Sequence, residues 1–174
     1  NGEVLESSKA MVSIDDYGLM RGYAVFETIR FENRSARNLN NHITRLFKAL
    51  KFIRINSEKI TKERIKSDVE KIIEINSLDS GLIKVIITRG NINVKSSSDL
   101  SPNIYLTIKE MYSIPTSPVR VVFYDEKKYP ILRFNPAIKS INYLGNMMAI
   151  EDANSEGAFE VVFYTNKKLE FIII

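Results

Sequence analysis

The stretch Tyr112-Ser113-Ile114-Pro115-Thr116-Ser117-Pro118 constrains this chain most, because two prolines and three hydroxyl residues in seven positions favour an extended connector over helix or sheet. It predicts a chain in two parts: residues 1–112 as one domain, 113–118 as a linker and 119–174 as the start of another. With 174 residues, 44% of them hydrophobic, the chain can bury a real core.

Both parts mix helix and strand. Met11 to Ile14 reads as a short strand and Val25 to Phe31 as a second. Ile43, Leu46, Phe47 and Leu50 recur at helical spacing behind a cap at Asn40 or Asn41, and a longer helix from Thr61 to Asn76 buries Ile65, Val69, Ile72 and Ile73. Leu82 to Thr88 and Ile104 to Ile108 read as strands, separated by a polar, serine-rich loop from Asn91 to Pro102. Beyond the connector come a strand at Val119 to Tyr124, a helix from Leu144 to Glu156 stopped by Gly157, a strand at Glu160 to Tyr164 and a turn into Leu169 to Ile174. The ending Phe171-Ile172-Ile173-Ile174 is an aggregation-prone strand that needs a partner.

Composition excludes several chemistries. The chain has no cysteine, so it holds no disulfide, zinc-thiolate site or cysteine nucleophile, and a reducing, cytoplasmic setting is expected. No apolar run reaches membrane-spanning length, no signal peptide is read, and no membrane partner is expected. A net charge of +4 brings nucleic acid to mind. However, the basic residues are interspersed with acids, as in Glu58-Lys59 and Lys62-Glu63-Arg64, which reads as a solvated face without a nucleic-acid partner. A metal cluster or a serine-histidine-aspartate triad would rest on His42 alone, the one histidine, which reads as a helix-cap or core residue. Asp15-Asp16 reads as a turn, so no metal site is expected, and no phosphate-loop or dinucleotide glycine pattern is present.

One lysine stands apart. Lys139 leaves an apolar stretch just before the helix start Asn142-Tyr143-Leu144, where it can point into a cleft. A desolvated amine loses its proton more readily and becomes a nucleophile, which makes Lys139 the candidate Schiff-base lysine; the plainer alternative is one surface lysine among many.

The segment Lys139-Ser140-Ile141-Asn142-Tyr143-Leu144-Gly145-Asn146, with Gly157-Ala158-Phe159-Glu160-Val161-Val162-Phe163 after it, resembles the cofactor-lysine segment of the class IV, fold-type IV pyridoxal-phosphate enzymes. These are the branched-chain and D-amino-acid aminotransferases and aminodeoxychorismate lyase. Arg21-Gly22-Tyr23-Ala24-Val25-Phe26-Glu27-Thr28 resembles the family's Phe-Glu-Thr strand, and His42-Ile43-Thr44-Arg45-Leu46 its His-x-x-Arg-Leu helix. The resemblance implies an α+β fold: a small N-terminal α/β domain, a linker and a larger C-terminal β-rich domain, with pyridoxal phosphate in the crevice between them. It also implies a further segment beyond Glu170, so the chain reads as incomplete at its C-terminus and the expectations concern the parent protein.

Roles follow from the match, residue by residue. Lys139 matches the catalytic lysine that holds the cofactor aldehyde and then moves a proton between the substrate α-carbon and the cofactor. Arg45 matches the arginine that grips the phosphate; read without the match it is a surface ion pair on an amphipathic helix. Tyr143 matches a tyrosine that meets the cofactor's ring oxygen, or else packs at a helix start. Glu170 matches the carboxylate against the pyridine nitrogen, with a plain turn glutamate as the alternative. Phe26 matches a substrate-pocket aromatic, or is generic core; Arg21 stands where it can meet a substrate carboxylate, or pairs with Asp15 or Asp16. Glu27 and Thr28 belong to the match without a chemical role.

The activity so implied is amino-group exchange between an amino acid, of branched-chain type, and a 2-oxo acid, in a homodimer. The alternatives are a D-amino-acid aminotransferase and an aminodeoxychorismate-type lyase, to which Lys84-Val85-Ile86-Ile87-Thr88-Arg89-Gly90 is more similar. A non-catalytic binding protein is a third reading.

Overall fold

Strand β1 (Ala24–Glu32) alternates between two environments, and that alternation organises the sheet around it. The computed structural model describes residues 2–92, 100–129, 131–132 and 138–164. In it Val25, Ile29 and Phe31 are buried on one face of β1, and Phe26, Thr28 and Arg30 leave on the other. After the short β2 (Ser35–Ala36) come two amphipathic helices, α2 (Leu39–Phe52) and α3 (Lys62–Glu74). Strands β3 (Gly81–Thr88) and β4 (Ile104–Lys109) complete an antiparallel sheet in the order β2-β1-β3-β4.

Ile43, Leu46 and Leu50 of α2 and Ile65, Val69 and Ile73 of α3 pack with Val25, Ile29, Ile83, Val85 and Ile87 of the sheet into one core. Burying side chains of this kind stabilises the fold by about 1.5–3 kcal/mol each, so the helices are held to one face of the sheet. The other face carries Phe26 and Thr28 of β1, Lys84 and Ile86 of β3, and Tyr105 and Thr107 of β4.

β2 meets β1 only at Phe31 and Glu32, which leaves the N-terminal end of β1 an open edge. Residues 138–141 fill it. The Phe26 amide donates to the Lys139 carbonyl at 2.9 Å, the Ile141 amide donates to the Ala24 carbonyl at 3.3 Å, and Ser140 pairs antiparallel with Val25.

The chain divides into two compact units, Asn1–Tyr112 with Ile138–Ile141, and Ser113–Ala137 with Asn142–Ile174. The sequence reading puts residues 138–141 in the second domain; they group with the first because their backbone hydrogen bonds run to β1. In the second unit β5 (Val121–Asp125) and β6 (Glu160–Tyr164) pair in parallel, with helix α4 (Leu144–Ser155) between them in the chain. Ala149 and Ala153 of α4 pack with Tyr129, Ala158, Val161 and Phe163.

Several local expectations are corrected. Met11 to Ile14 forms no strand among the described residues, and its apolar side chains are exposed, because three such residues without a partner cannot satisfy their backbone groups as a strand. The cap of α2 is neither Asn40 nor Asn41. Asn38 precedes the helix in the left-handed conformation (φ 52°), and its carbonyl accepts from the Asn41 and His42 amides. The sequence reading misses the short helix α1 (Tyr17–Arg21), which is capped by the Asp16 carboxylate and closed by Gly22 at φ 63°. Residues 93–99 of the expected loop and the strand expected from Leu169 to Ile174 lie outside the described residues.

Candidate functional site

Register decides where Lys139 points. Ser140 shares the core-facing phase of Val25, so Lys139 shares that of Phe26 and leaves on the face without helices. Its amine stands 5.5 Å from the centroid of the Phe26 ring, and the Lys84 amine from β3 stands 4.6 Å from the same centroid. Two lysine amines thus share one aromatic ring, and the Lys139 backbone is tied to β1 through its carbonyl, which accepts from the Phe26 amide. Lys139 is half-buried.

The next residue along β1 turns the other way. Glu27 sits in the core-facing phase, its side chain only 2% exposed, and a charge there is costly unless paired. Helix α2 supplies the partners. Arg45 donates to one carboxylate oxygen through Nε at 2.5 Å and to the other through Nη2 at 2.6 Å, a bidentate pair. His42, one turn earlier on α2, places Nδ1 2.8 Å from Oε2 of Glu27. The hydrogen bond to Glu27 raises the Arg45 pKa further, so the guanidinium is a permanent cation. Its side chain is 52% exposed, and among the described residues its Nη1 has no hydrogen-bond partner.

Asp16, just ahead of α1, is also fully buried, but its partners are neutral. Oδ1 accepts from the Gly18 amide at 2.6 Å, and Oδ2 accepts from Thr88 Oγ1 at 2.8 Å, Asn103 Nδ2 at 2.7 Å and the Tyr105 hydroxyl at 3.0 Å. Burial, with the bond to Asp16, pushes the Tyr105 phenol up to about 12. The fit is close: a Cβ at Gly18 would meet Thr88 Cγ2 at 2.6 Å. Asp16 thereby ties α1 to the ends of β3 and β4.

The sequence candidates are therefore only partly gathered. Lys139 and Phe26 are neighbours on one face of β1. Arg45 reaches the same strand through Glu27, whose side chain leaves it on the opposite face. Arg21 pairs with neither Asp15 nor Asp16; it is exposed on α1 and donates to the Met20 carbonyl at 3.3 Å, its one hydrogen bond among the described residues. Tyr143 stands at the N-terminal boundary of α4 in the second unit, half-buried, and burial raises its phenol pKa. Glu170 lies outside the described residues. No group of three or more acidic or histidine side chains among the described residues could hold a metal ion, and no described helix is long and apolar enough to cross a membrane.

Glu27, His42 and Lys84 were missed as contributors. An acid in the inward phase of an otherwise apolar strand signalled Glu27, and the helical step from His42 to Arg45 signalled their common partner. Lys84 interrupts the apolar run of β3 in its outward phase.

The family model for class IV amino-transferases matches residues 24–170. A protein of Methanocaldococcus jannaschii named "Putative branched-chain-amino-acid aminotransferase" is 30% identical over 96% of this chain and 59% of its own length. The D-alanine aminotransferase of Bacillus licheniformis is 29% identical over 93% of this chain and 57% of its own. A crystal structure from Legionella pneumophila, of a protein named "Putative 4-amino-4-deoxychorismate lyase", superposes with a TM-score of 0.76 at 25% identity, covering 92% of this chain and 59% of that one. The chain belongs to the class IV aminotransferase family, whose fold-type IV members use pyridoxal phosphate. It spans about six-tenths of the length of the relatives it matches.

Proposed function

We propose that the whole protein is a pyridoxal-phosphate-dependent aminotransferase that exchanges an amino group between an amino acid, of branched-chain type, and a 2-oxo acid. The observation that carries this reading is the Lys139 amine, held half-buried 5.5 Å from the Phe26 ring centroid by the pairing of its backbone with β1.

The residues fit the cofactor. An aldehyde needs an amine that is fixed yet reachable, and Lys139 is both. A phosphate needs a cation with donors to spare, and Arg45 keeps Nη1 uncommitted among the described residues on a half-exposed side chain. Tyr143, whose phenol pKa burial raises, would donate to the cofactor's ring oxygen, and Glu170, assigned from the sequence match alone, would serve the pyridine nitrogen. The chemistry supplied with the bound cofactor is an electron-accepting ring conjugated to the substrate's α-carbon, which lets the α-proton leave. Lys139 takes and returns that proton at its Nζ. Phe26 walls the substrate side chain, and the exposed Arg21 meets a substrate carboxylate. The protein works as a cytoplasmic homodimer on small amino and oxo acids.

Borohydride reduction of the whole protein with its cofactor should fix the label on the peptide containing Lys139, and Lys139→Ala should abolish turnover. Label on Lys84, the other amine over the same ring, would reject the assignment. Amino donors should convert the bound aldehyde form to the amine form, with 2-oxoglutarate reversing the change. Rapid pyruvate release from chorismate-type substrates without that interconversion would favour the lyase reading, to which the Legionella likeness lends support. A colourless protein that takes up no cofactor would favour a non-catalytic binding role.

A further inference from the structure

A phosphate grip by Arg45 demands that one long, half-exposed side chain stand in one orientation, and the structure holds that orientation from below. The Glu27 carboxylate takes the Nε and Nη2 edge of the guanidinium at 2.5 and 2.6 Å, and His42 Nδ1 meets the same carboxylate at 2.8 Å. We propose that Glu27, itself steadied by His42, is a positioning residue that fixes the guanidinium plane of Arg45 and aims its Nη1 end at the phosphate of the cofactor. The inference rests on the phosphate role given to Arg45 above.

A free arginine loses most of its rotamer freedom when it grips an anion; here folding has already imposed that loss, so less affinity is spent at binding. The same carboxylate also repels an anion, which gives the inference a definite way to fail. Glu27 is charge-balanced by a permanent cation lying between it and solvent, and orientation is the effect we expect to win.

Pyridoxal and pyridoxal phosphate differ only in the group that Arg45 is held to meet. Their dissociation constants are to be measured by absorbance titration of the whole protein and of its E27Q, R45A and E27Q/R45A variants. E27Q should weaken pyridoxal phosphate by about tenfold, the scale of one charge-assisted hydrogen bond, and leave pyridoxal within about twofold. In the R45A background E27Q should leave the ratio of the two constants unaltered. Equal weakening of both ligands would reduce Glu27 to a structural role, and unchanged or tighter pyridoxal phosphate binding would overturn the inference. Loss of the ratio in R45A without loss in E27Q rejects the inference about Glu27 alone, whereas no change of ratio in R45A rejects the phosphate role of Arg45. Should E27Q fail to fold, E27D serves in its place, because it keeps the charge while drawing the carboxylate back from the guanidinium: pyridoxal phosphate weakened about threefold with pyridoxal unmoved supports the inference, and an unchanged ratio overturns it.

Discussion

Two buried carboxylates in the first unit are satisfied in opposite ways. Asp16 is closed in by four neutral donors from α1, β3, β4 and the segment before β4, all of them part of the scaffold. Glu27 is met by a cation and an imidazole from one helix, and the cation's far end is open to solvent. Four short neutral bonds lock a joint, and nothing is left over to meet a ligand. A bidentate ion pair with one exposed partner also stabilises the fold, but it keeps a directed charge at the surface. The comparison separates a carboxylate that holds the framework from one that holds a half-exposed cation in place.

Asp16→Ala should break the framework side most severely. It removes the shared acceptor of the buried Thr88 hydroxyl and of the half-buried Asn103 and Tyr105, and denaturant unfolding should record a loss of about 2–4 kcal/mol, with the ratio of pyridoxal to pyridoxal phosphate affinity unmoved. A changed ratio would erase the distinction between the two sites. Arg45→Met should cost less, about 1–2 kcal/mol by the same measurement, because water reaches the half-exposed site and His42 still meets Glu27. A loss larger than that of Asp16→Ala would make Arg45 the deeper structural element. The smallest effect belongs to Tyr105. Its phenol pKa is raised from 10.0 to about 12, so the folded state holds that proton more tightly than the unfolded chain does. The stability it contributes is whole below pH 10 and is lost as the pH rises toward 12. Tyr105→Phe should remove that alkaline sensitivity while costing under about 1 kcal/mol near neutrality, as read from unfolding curves at several pH values.

What the sequence discloses follows the range of the interactions. β1, α2, α3 and β3 are legible because each carries its own periodicity, in Val25-Ile29-Phe31 or Ile65-Val69-Ile73 for example. The helix α1 was legible in principle from Asp16 and Gly22, an N-cap and a C-cap five residues of helix apart, but five residues are too few to show a period. The pairing of Ser140 with Val25 was not legible at all, since nothing in either segment names its distant partner. The ion pair read as the plainer role of Arg45 is present, yet its partner is a buried strand glutamate and not a neighbour on the helix. Only the strand phase of Glu27 hinted at that.

The segment bearing Lys139 joins the sheet across more than a hundred residues of intervening chain. During synthesis the ribosome must therefore deliver both helices, β3, β4 and β5 before the last ribbon beside β1 exists. Until then the nascent sheet has a bare margin at Ala24 to Phe26 with unclaimed backbone donors and acceptors, a place where a neighbouring polypeptide can zip on in error. When the ribbon does arrive, it seals the margin and sets the Lys139 amine beside Phe26 in the same event, so a molecule still open to mispairing there does not yet hold that amine over the ring.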